Sequence, residues 1–552
     1  MPATLGCRAA SVARVLRNRN LVKLVTSFGI WIASDWAVLV LLSVAAFRTG
    51  GSAAVGVVGV LRIVPAALAV PFGAWIADRV SRSQFLSAAH VCWAVLAALM
   101  ALNDAMGASF SISCCLLALM SLISAGYRGA VNACIPQVVN ESAELASANA
   151  LYGLLEGAGT VIGPLLAGAA LAVAEPGAGF AAVGLLNLFA AVLSSNIISV
   201  FKPARVEVVG GLQRLRAISA GFTALLGTPV QRGVFFASQT QCVMRGLVNV
   251  FVVTACVTIF GLGESGAGPL FAAIGVGGLL GSLGLVGATT RRAAVPFLAG
   301  VALWGFPIVL IALFPNAVFA WFALLLLGVG NAVEDVFGFT ILNRSIGDDV
   351  AARAFGAFWA SAAISVAVGS LLAPALISIL GLSMAMACAG AAVAVIPLLL
   401  ARTVRRADDR PPSWYDDLQA MQRVEIFAVL NQIALERLVA VSSSVPVSAG
   451  HIVVEQGAPA AAFYAVVDGQ LSVTVDGRTV GELTAGDCFG EIGLLNRSPR
   501  TATVAALTDC RLLSVDGDSF VAAVTTHRTA ELRATELAAE RLASDSINER
   551  TD

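Results

Sequence analysis

The chain reads as an α-helical polytopic membrane protein of twelve spans, arranged six and six, followed by a small water-compatible α+β domain built on a β-roll. Three observations carry this expectation. Of 552 residues, 58% are hydrophobic and only 12% are charged, with a mean hydropathy of +0.86, which lies outside the range of soluble globular proteins. From about residue 24 to 402 the apolar residues fall in blocks of about twenty or more, each long enough to cross a hydrocarbon core of roughly 30 Å as a helix. After residue 403 the pattern changes to short alternating runs broken by glycine.

The first 23 residues carry Arg8, Arg14, Arg17, Arg19 and Lys23, with no apolar run leading to a small-residue cleavage site, so the first span is expected to be retained. The twelve spans fall near 25–46, 54–77, 84–104, 109–133, 147–173, 178–201, 234–260, 268–290, 293–314, 316–342, 354–380 and 382–402. Arginines and lysines of the short connections gather on one side, Arg79, Arg82, Lys202, Arg205, Arg232, Arg291, Arg292 and Arg353 among them, and the other side holds only Arg48. That bias predicts a cell (inner) membrane protein with both termini cytoplasmic. The formal net charge of zero averages two unlike parts and says nothing by itself of nucleic acid, and no nucleic-acid partner is expected.

The longest connection, Lys202 to Gly233, follows the sixth span and divides the membrane part into two parallel halves, a pattern that places a site between them at the bilayer midplane. Within it, Leu212, Leu215, Ile218 and Phe222 share one helical face beside Arg214 and Arg216, which reads as an interfacial helix. The segment TVRRADDRPPSWY (403–415) is charged and proline-stiffened and ends the last helix. The expected organisation is therefore a cytoplasmic segment 1–23, a membrane domain 24–402, a linker 403–423, a folded domain 424–545 and a tail 546–552. In the folded domain a helical run is followed by strands with Asp-Gly turns at Asp468-Gly469 and Asp476-Gly477, and by a C-terminal helical stretch.

The ten cysteines show neither metal-ligand spacing nor a disulfide framework, and no metal or catalytic site is expected. The three histidines, His90, His451 and His527, lack sequence partners and read as incidental. No phosphate loop of the GxxxxGK[ST] type is present, so any transport would be driven by an ion gradient, with protons as one candidate ion. Ionisable residues inside spans cost at least a few kcal/mol unless paired or facing a cavity. Asp35, Arg62, Arg128 and Glu156 therefore either line a central cavity and carry protons or form fixed structural pairs. Arg245 is also within a span, and Glu334 and Asp335, with Arg344, stand toward one end of the tenth span, where a gate and an interfacial salt bridge are both open readings.

The loop FGAWIADRVSRSQFL after the second span, with Asp78, Arg79 and Arg82, resembles the signature loop of the major facilitator superfamily, although Ala74 and Ser81 stand where glycines are usual. The stretch from Tyr127 through Gly163-Pro164 to Gly168 resembles the drug-exporter branch of that superfamily. The resemblance spans roughly residues 18 to 405. It implies the six-and-six fold, efflux of an unknown small amphipathic or lipid-like substrate, a role for Asp78 and Arg79 in interconverting inward-open and outward-open states, and bending at the Gly-Pro region. Close helix packing is the first reading of Gly157, Gly159, Gly163, Gly168, Gly277 and Gly281.

FGEIGLLNRSPRTA (489–502) places one acidic and one basic side chain around a glycine-led turn. Such a turn aims backbone N–H groups at one point and an arginine fork can hold a phosphate, while a carboxylate suits a neutral hydroxyl. The spacing resembles the phosphate-binding cassette of cyclic-nucleotide-binding domains, with Gly450, Gly457, Phe463-Tyr464 and Gly469 in support. The resemblance implies that Glu491 takes the ribose hydroxyl, Arg500 takes the cyclic phosphate, and Gly490, Thr501 and Ala502 supply backbone contacts. It implies cyclic nucleotide as a regulatory ligand, no further cofactor, and a C-terminal lid helix over about Thr529–Ser544. Cyclic AMP is placed ahead of cyclic GMP, which Thr501 leaves open. The expected function is a non-enzymatic, ion-coupled exporter regulated by cyclic nucleotide; the alternative is a membrane-anchored nucleotide receptor that no longer transports.

Overall fold

A computed structural model of the protein describes residues 18–77, 80–138, 142–173, 175–197, 211–285, 292–408, 413–428, 430, 432–525 and 532–536. The chain separates into two compact units, 1–408 and 409–552.

In the first unit, helices α1 (Arg19–Ala77), α2 (Arg82–Ala105), α3 (Phe110–Ser124), α4 (Tyr127–Val138), α5 (Ser142–Val173) and α6 (Pro176–Ser195) precede α7 (Gly211–Leu226). Then come α8 (Pro229–Thr258), α9 (Ala267–Gly284), α10 (Ala294–Leu313), α11 (Ala317–Ser345), α12 (Asp348–Leu380) and α13 (Leu382–Arg405). Local chemistry sets several starts. Thr228 and Gln231 form a reciprocal capping box before Pro229, and Ser81 and Asn316 accept the first free N–H groups of α2 and α11.

Among the described residues, eleven helices are long and apolar enough to cross a membrane. The first is α1, whose 59 residues would reach about 90 Å if straight, far beyond a single crossing. It does not run straight: the backbone leaves helical geometry at Gly50 (φ −147°, ψ 22°) and Gly51 (φ 59°, ψ −151°). A positive φ of that kind is a conformation glycine adopts without steric cost. The expected single span 109–133 is likewise divided into α3 and α4, with a turn at Ala125-Gly126.

Call α1–α6 the N half and α8–α13 the C half. Large apolar side chains fill both interiors, among them Phe28, Trp93, Phe180, Phe251 and Phe297, all fully buried or nearly so. The halves meet through α5 against α9 and the second part of α1 against α12. There the helices touch almost backbone to backbone. A methyl group on Gly56 would sit 2.5 Å from the Ser370 carbonyl oxygen, and one on Gly168 would sit 2.9 Å from that of Ser265. Gly159 and Gly163 press on α1, and Gly277 and Gly281 press on α11, so the glycines pack helices as their spacing suggests. The helix expected in the 202–233 connection is α7; side chains 211–218 lie outside the described residues, but at Gly221 it packs closely on Arg353 of α12.

The second unit opens with α14 (Ser413–Arg423) and α15 (Gln432–Val441) and continues as two four-stranded antiparallel sheets. One has the order β1 (Ser443–Val447), β8 (Cys510–Asp516), β3 (Ala462–Asp468), β6 (Cys488–Phe489). The other has the order β2 (Ile452–Val454), β7 (Thr503–Ala506), β4 (Leu471–Val475), β5 (Arg478–Leu483). Short helices α16 (Glu491–Leu495) and α17 (Gly517–Thr525) complete it. Asp476 and Gly477 both have positive φ, +49° and +82°, which is the turn chemistry that joins β4 to β5. The core centres on Phe463 and Phe520, stacked with centroids 4.5 Å apart, and on Phe427 against both. Arg511 of β8 donates to Asp417 of α14 at 2.7 Å and ties the helices to the sheet. Of the lid helix expected over 529–544, residues 532–536 are described as helical, and the rest of that stretch lies outside the described residues. Arg533 in that piece pairs with Glu425 and with Glu536.

Candidate functional site

In the second unit, Gly490, Glu491, Arg500, Thr501 and Ala502 all line one cavity of about 200 Å³, together with apolar Val454, Val473, Val480 and Leu483. The strand order explains the convergence. β6 delivers the chain to Gly490, α16 turns it back, and the return through Arg500 is bonded to the β2–β3 loop, with Arg500 N–H donating to the Ala458 carbonyl and Gly457 N–H to the Arg500 carbonyl, both at 2.8 Å. Gly490 has φ +92°, and a Cβ there would stand 2.3 Å from Arg500 Nη1 and 2.9 Å from the Ala462 carbonyl oxygen. Only glycine satisfies both demands.

The Arg500 side chain is thereby aimed. Its Nη1 donates to the Gly490 carbonyl at 3.0 Å and its Nη2 to the Ala462 carbonyl at 2.5 Å, and the guanidinium lies 6.0 Å from the centre of the Tyr464 ring, which stacks on Phe489. Burial pulls the guanidinium pKa below its ordinary value, opposed by Tyr464 and Glu491. Glu491 is 1% exposed and Arg500 6%. A cation held this way, partly stripped of water and pinned by neutral carbonyls, is prepared for an anion. The acidic neighbour favours a ligand that also offers a hydroxyl.

In the first unit the ionisable residues form pairs or short polar chains, most of them near the middles of their helices and Arg128 at the start of α4. Arg62 meets Asp35 through two contacts, Nη2 to Oδ2 at 2.5 Å and Nε to Oδ1 at 3.3 Å, with the guanidinium 5.0 Å from the Trp36 ring. Arg128 donates to Glu156 at 2.6 Å and lies over Phe28 and Trp31, yet its side chain keeps 51% exposure. Arg245 donates to Asn331 at 2.5 Å, and Asn331 donates to Asp335 at 3.1 Å. Glu334, 3% exposed, accepts a close hydrogen bond from Ser238.

Glu334 and Asp335 lie about one turn beyond the middle of α11 on its C-terminal side, and Asp335 is joined to Arg245 through Asn331. Asp78 and Arg79 lie outside the described residues, so the motif loop has no structural account. His90 is not incidental: it is fully buried, with Nδ1 2.9 Å from Asn187 Oδ1 and Nε2 2.7 Å from the Tyr127 hydroxyl, and Asn187 donates to Ser34 at 2.8 Å. Sequence reading missed Asn187, Asn331 and Ser238; the available signal was an amide or hydroxyl inside an otherwise apolar run.

Comparison with known proteins agrees with both halves of this picture. Residues 24–370 match the Major Facilitator Superfamily, and residues 444–527 match the cyclic nucleotide-binding domain. The chain is 34% identical over 101 residues to a cAMP-dependent protein kinase regulatory subunit of Schizosaccharomyces pombe, covering 18% of this chain and 24% of that protein. It is 36% identical over 110 residues to the corresponding subunit of Yarrowia lipolytica, covering 20% and 29%. It is 34% identical over 94 residues to the cGMP-dependent protein kinase egl-4 of Caenorhabditis briggsae, covering 16% and 13%. The chain thus spans less than a third of the length of these curated relatives. Among solved structures, the regulatory domain of Toxoplasma gondii PKA with cAMP aligns at 25% identity and a TM-score of 0.20, covering 21% of this chain and 45% of that one. With the larger match extending over more than half of its length, the chain belongs to the Major Facilitator Superfamily and carries a C-terminal cyclic nucleotide-binding domain.

Proposed function

We propose that the protein is an ion-coupled exporter of the drug-exporter type, moving a small amphipathic or lipid-like compound and regulated by cyclic nucleotide, cyclic AMP ahead of cyclic GMP. The observation that carries the regulatory part is the pocket that gathers Gly490, Glu491, Arg500, Thr501 and Ala502 around one buried guanidinium. Arg500 takes the cyclic phosphate and Glu491 the ribose hydroxyl, with backbone contacts from the other three; the similarity to cAMP-dependent and cGMP-dependent kinase proteins supports a cyclic nucleotide as the ligand. The transport part is supported by the ion pairs of α1, α4 and α5 and the Arg245–Asn331–Asp335 chain of the C half, since a mere anchor has no use for charge at membrane depth. Asp35, Arg62, Arg128 and Glu156 are the residues proposed to line the cavity or carry the coupling ion, with protons first, and Glu334 and Asp335 are proposed as part of a gate. The proposed topology has twelve spans, with α1 counted as two crossings in view of its break at Gly50–Gly51, and both termini cytoplasmic in the cell membrane. The domain limits proposed are 24–402 and 424–545, joined by 403–423.

Flux of amphipathic dyes and lysolipids into vesicles, measured under a proton gradient with and without cyclic AMP or cyclic GMP, tests the reading. Nucleotide-dependent flux is expected. Nucleotide binding without flux under any gradient would overturn the exporter and leave a membrane-anchored receptor.

A further inference from the structure

Arg48 stands at the end of the first crossing segment, next to the Gly50–Gly51 break, and two carboxylates share its guanidinium. Nη1 is 3.0 Å from Glu175 Oε2, Nε is 2.5 Å from Glu264 Oε1, and Nη2 closes on the second oxygen of Glu264. The bond to Glu264 is therefore a two-pronged fork. Glu175 directly precedes Pro176 at the start of α6 and so belongs to the N half, whereas Glu264 lies in the turn between α8 and α9 and belongs to the C half. One cation is thus held in common by the two halves. It sits at the helix ends beside the tight approach of Gly168, near the end of α5, to Ser265, the neighbour of Glu264, so the halves touch at this face.

Two features make the contact releasable. Side-chain exposures of 44% for Arg48, 78% for Glu175 and 27% for Glu264 leave water ready to replace it, and pairs in contact with water are weak. The turn that brings Glu264 contains Gly261 and Gly263 at φ +62° and +65°, where an added Cβ would meet nothing within 4 Å, so at these two positions the turn has room to move, and its link back to α8 is one bond from Cys256 Sγ to the Gly263 carbonyl and one from Leu262 N–H to the Cys256 carbonyl. The stoichiometry adds an asymmetry. Without Arg48, two carboxylates from opposite halves would remain at the seam, and attraction would become repulsion.

We propose that Arg48, Glu175 and Glu264 form a latch that keeps this face of the membrane domain shut and is released in each transport cycle, with Arg48 as a positioning residue that touches nothing transported. The latch rests on the transport reading above, but its primary test does not require flux. The full-length chain, with its cysteines replaced by alanine, is spin-labelled at Ala108→Cys and Pro315→Cys, exposed turn positions of the N and C halves, and distances are recorded in nanodiscs. Arg48→Gln is expected to raise the open-to-closed ratio at this face about threefold to tenfold. Arg48→Lys raises it less, because an ammonium cannot fork onto one carboxylate while reaching another. Arg48→Glu combined with Glu264→Arg recovers closure relative to Arg48→Glu alone. Hydrogen exchange of the 259–266 turn in the unlabelled chain provides a second readout and is expected to accelerate by a similar factor in Arg48→Gln. A shifted distance with no flux in any variant would sink the exporter and leave the latch; unchanged distances and unchanged exchange in Arg48→Gln overturn the latch whatever the flux.

Discussion

Replacing Gly490 by alanine adds one methyl group at the most constrained point of the nucleotide pocket. Two costs follow from the geometry. At φ +92° an L side chain is strained by roughly 1–2 kcal/mol. The new Cβ would also stand 2.3 Å from Arg500 Nη1, so the guanidinium must leave its place and with it the 3.0 Å bond to the Gly490 carbonyl. A hydrogen bond to a charged group is worth roughly 1.5–3 kcal/mol, and an anion that relied on the guanidinium loses a contact of that size, which corresponds to roughly tenfold to a hundredfold in affinity. Titration calorimetry of the full-length variant with cyclic AMP and cyclic GMP measures this, with circular dichroism and thermal unfolding to establish that the roll is intact. Because the methyl group acts by displacing Arg500, Gly490→Ala and Arg500→Gln should be strongly non-additive, the double variant binding about as weakly as Arg500→Gln. Affinity within twofold of wild type in a folded Gly490→Ala protein would refute the argument, and so would full additivity.

Arg62→Gln should abolish folding or flux by leaving the Asp35 carboxylate unpaired at membrane depth, a loss of about 3–5 kcal/mol, and adding Asp35→Asn should restore expression; flux at wild-type rate in the double variant would assign the pair to structure alone. Gly277→Ala places a Cβ 1.9 Å from the Leu325 carbonyl oxygen and should sharply reduce the yield of folded protein, whereas Gly284→Ala, with nothing within 4 Å, should be neutral or slightly stabilising; equal yields would contradict the packing. Asp516 accepts from Ser519 N–H at 2.9 Å as the cap of α17, and that backbone bond holds its carboxyl below the ordinary 3.8. A depressed carboxylate stabilises above its unfolded pKa and loses that contribution as pH falls through the folded value. Asp516→Ala should therefore lower stability by about 0.5–1 kcal/mol near neutrality, and its melting temperature should converge with wild type at a pH below 3.8; a gap that persists there would exclude the cap as its cause.

Local features were legible in the sequence and distant pairings were not. Gly490, Glu491 and Arg500 lie within one short segment, so their spacing already constrains their geometry. The Ala462 carbonyl that aims Arg500 is 38 residues away, on a strand brought alongside only by the sheet order. In the membrane domain the buried charges stood out against apolar runs, but their partners did not: Ser238 and Glu334 are 96 residues apart, and helix rotation alone decides that they meet. The first helix begins at Arg19, six residues before the expected span start near 25, because Arg19 and Lys23 break the hydropathy pattern without breaking the helix. His90 was passed over because its partners Tyr127 and Asn187 lie 37 and 97 residues away in sequence.

That buried chain has a mechanical meaning. Asn187 commits its amide hydrogens to Ser34 and to the Val183 carbonyl, which obliges its oxygen to accept from His90 Nδ1–H and leaves Nε2 to the Tyr127 hydroxyl. Four helices, α1, α2, α4 and α6, are thereby riveted at one depth, and sliding any of them past the others would break a polar bond with no water at hand to replace it. The N half is consequently built as a beam rather than a spring. If the protein transports as proposed, a half tied together in this way is expected to move as one piece, with the change of shape taken up at its seam with the C half.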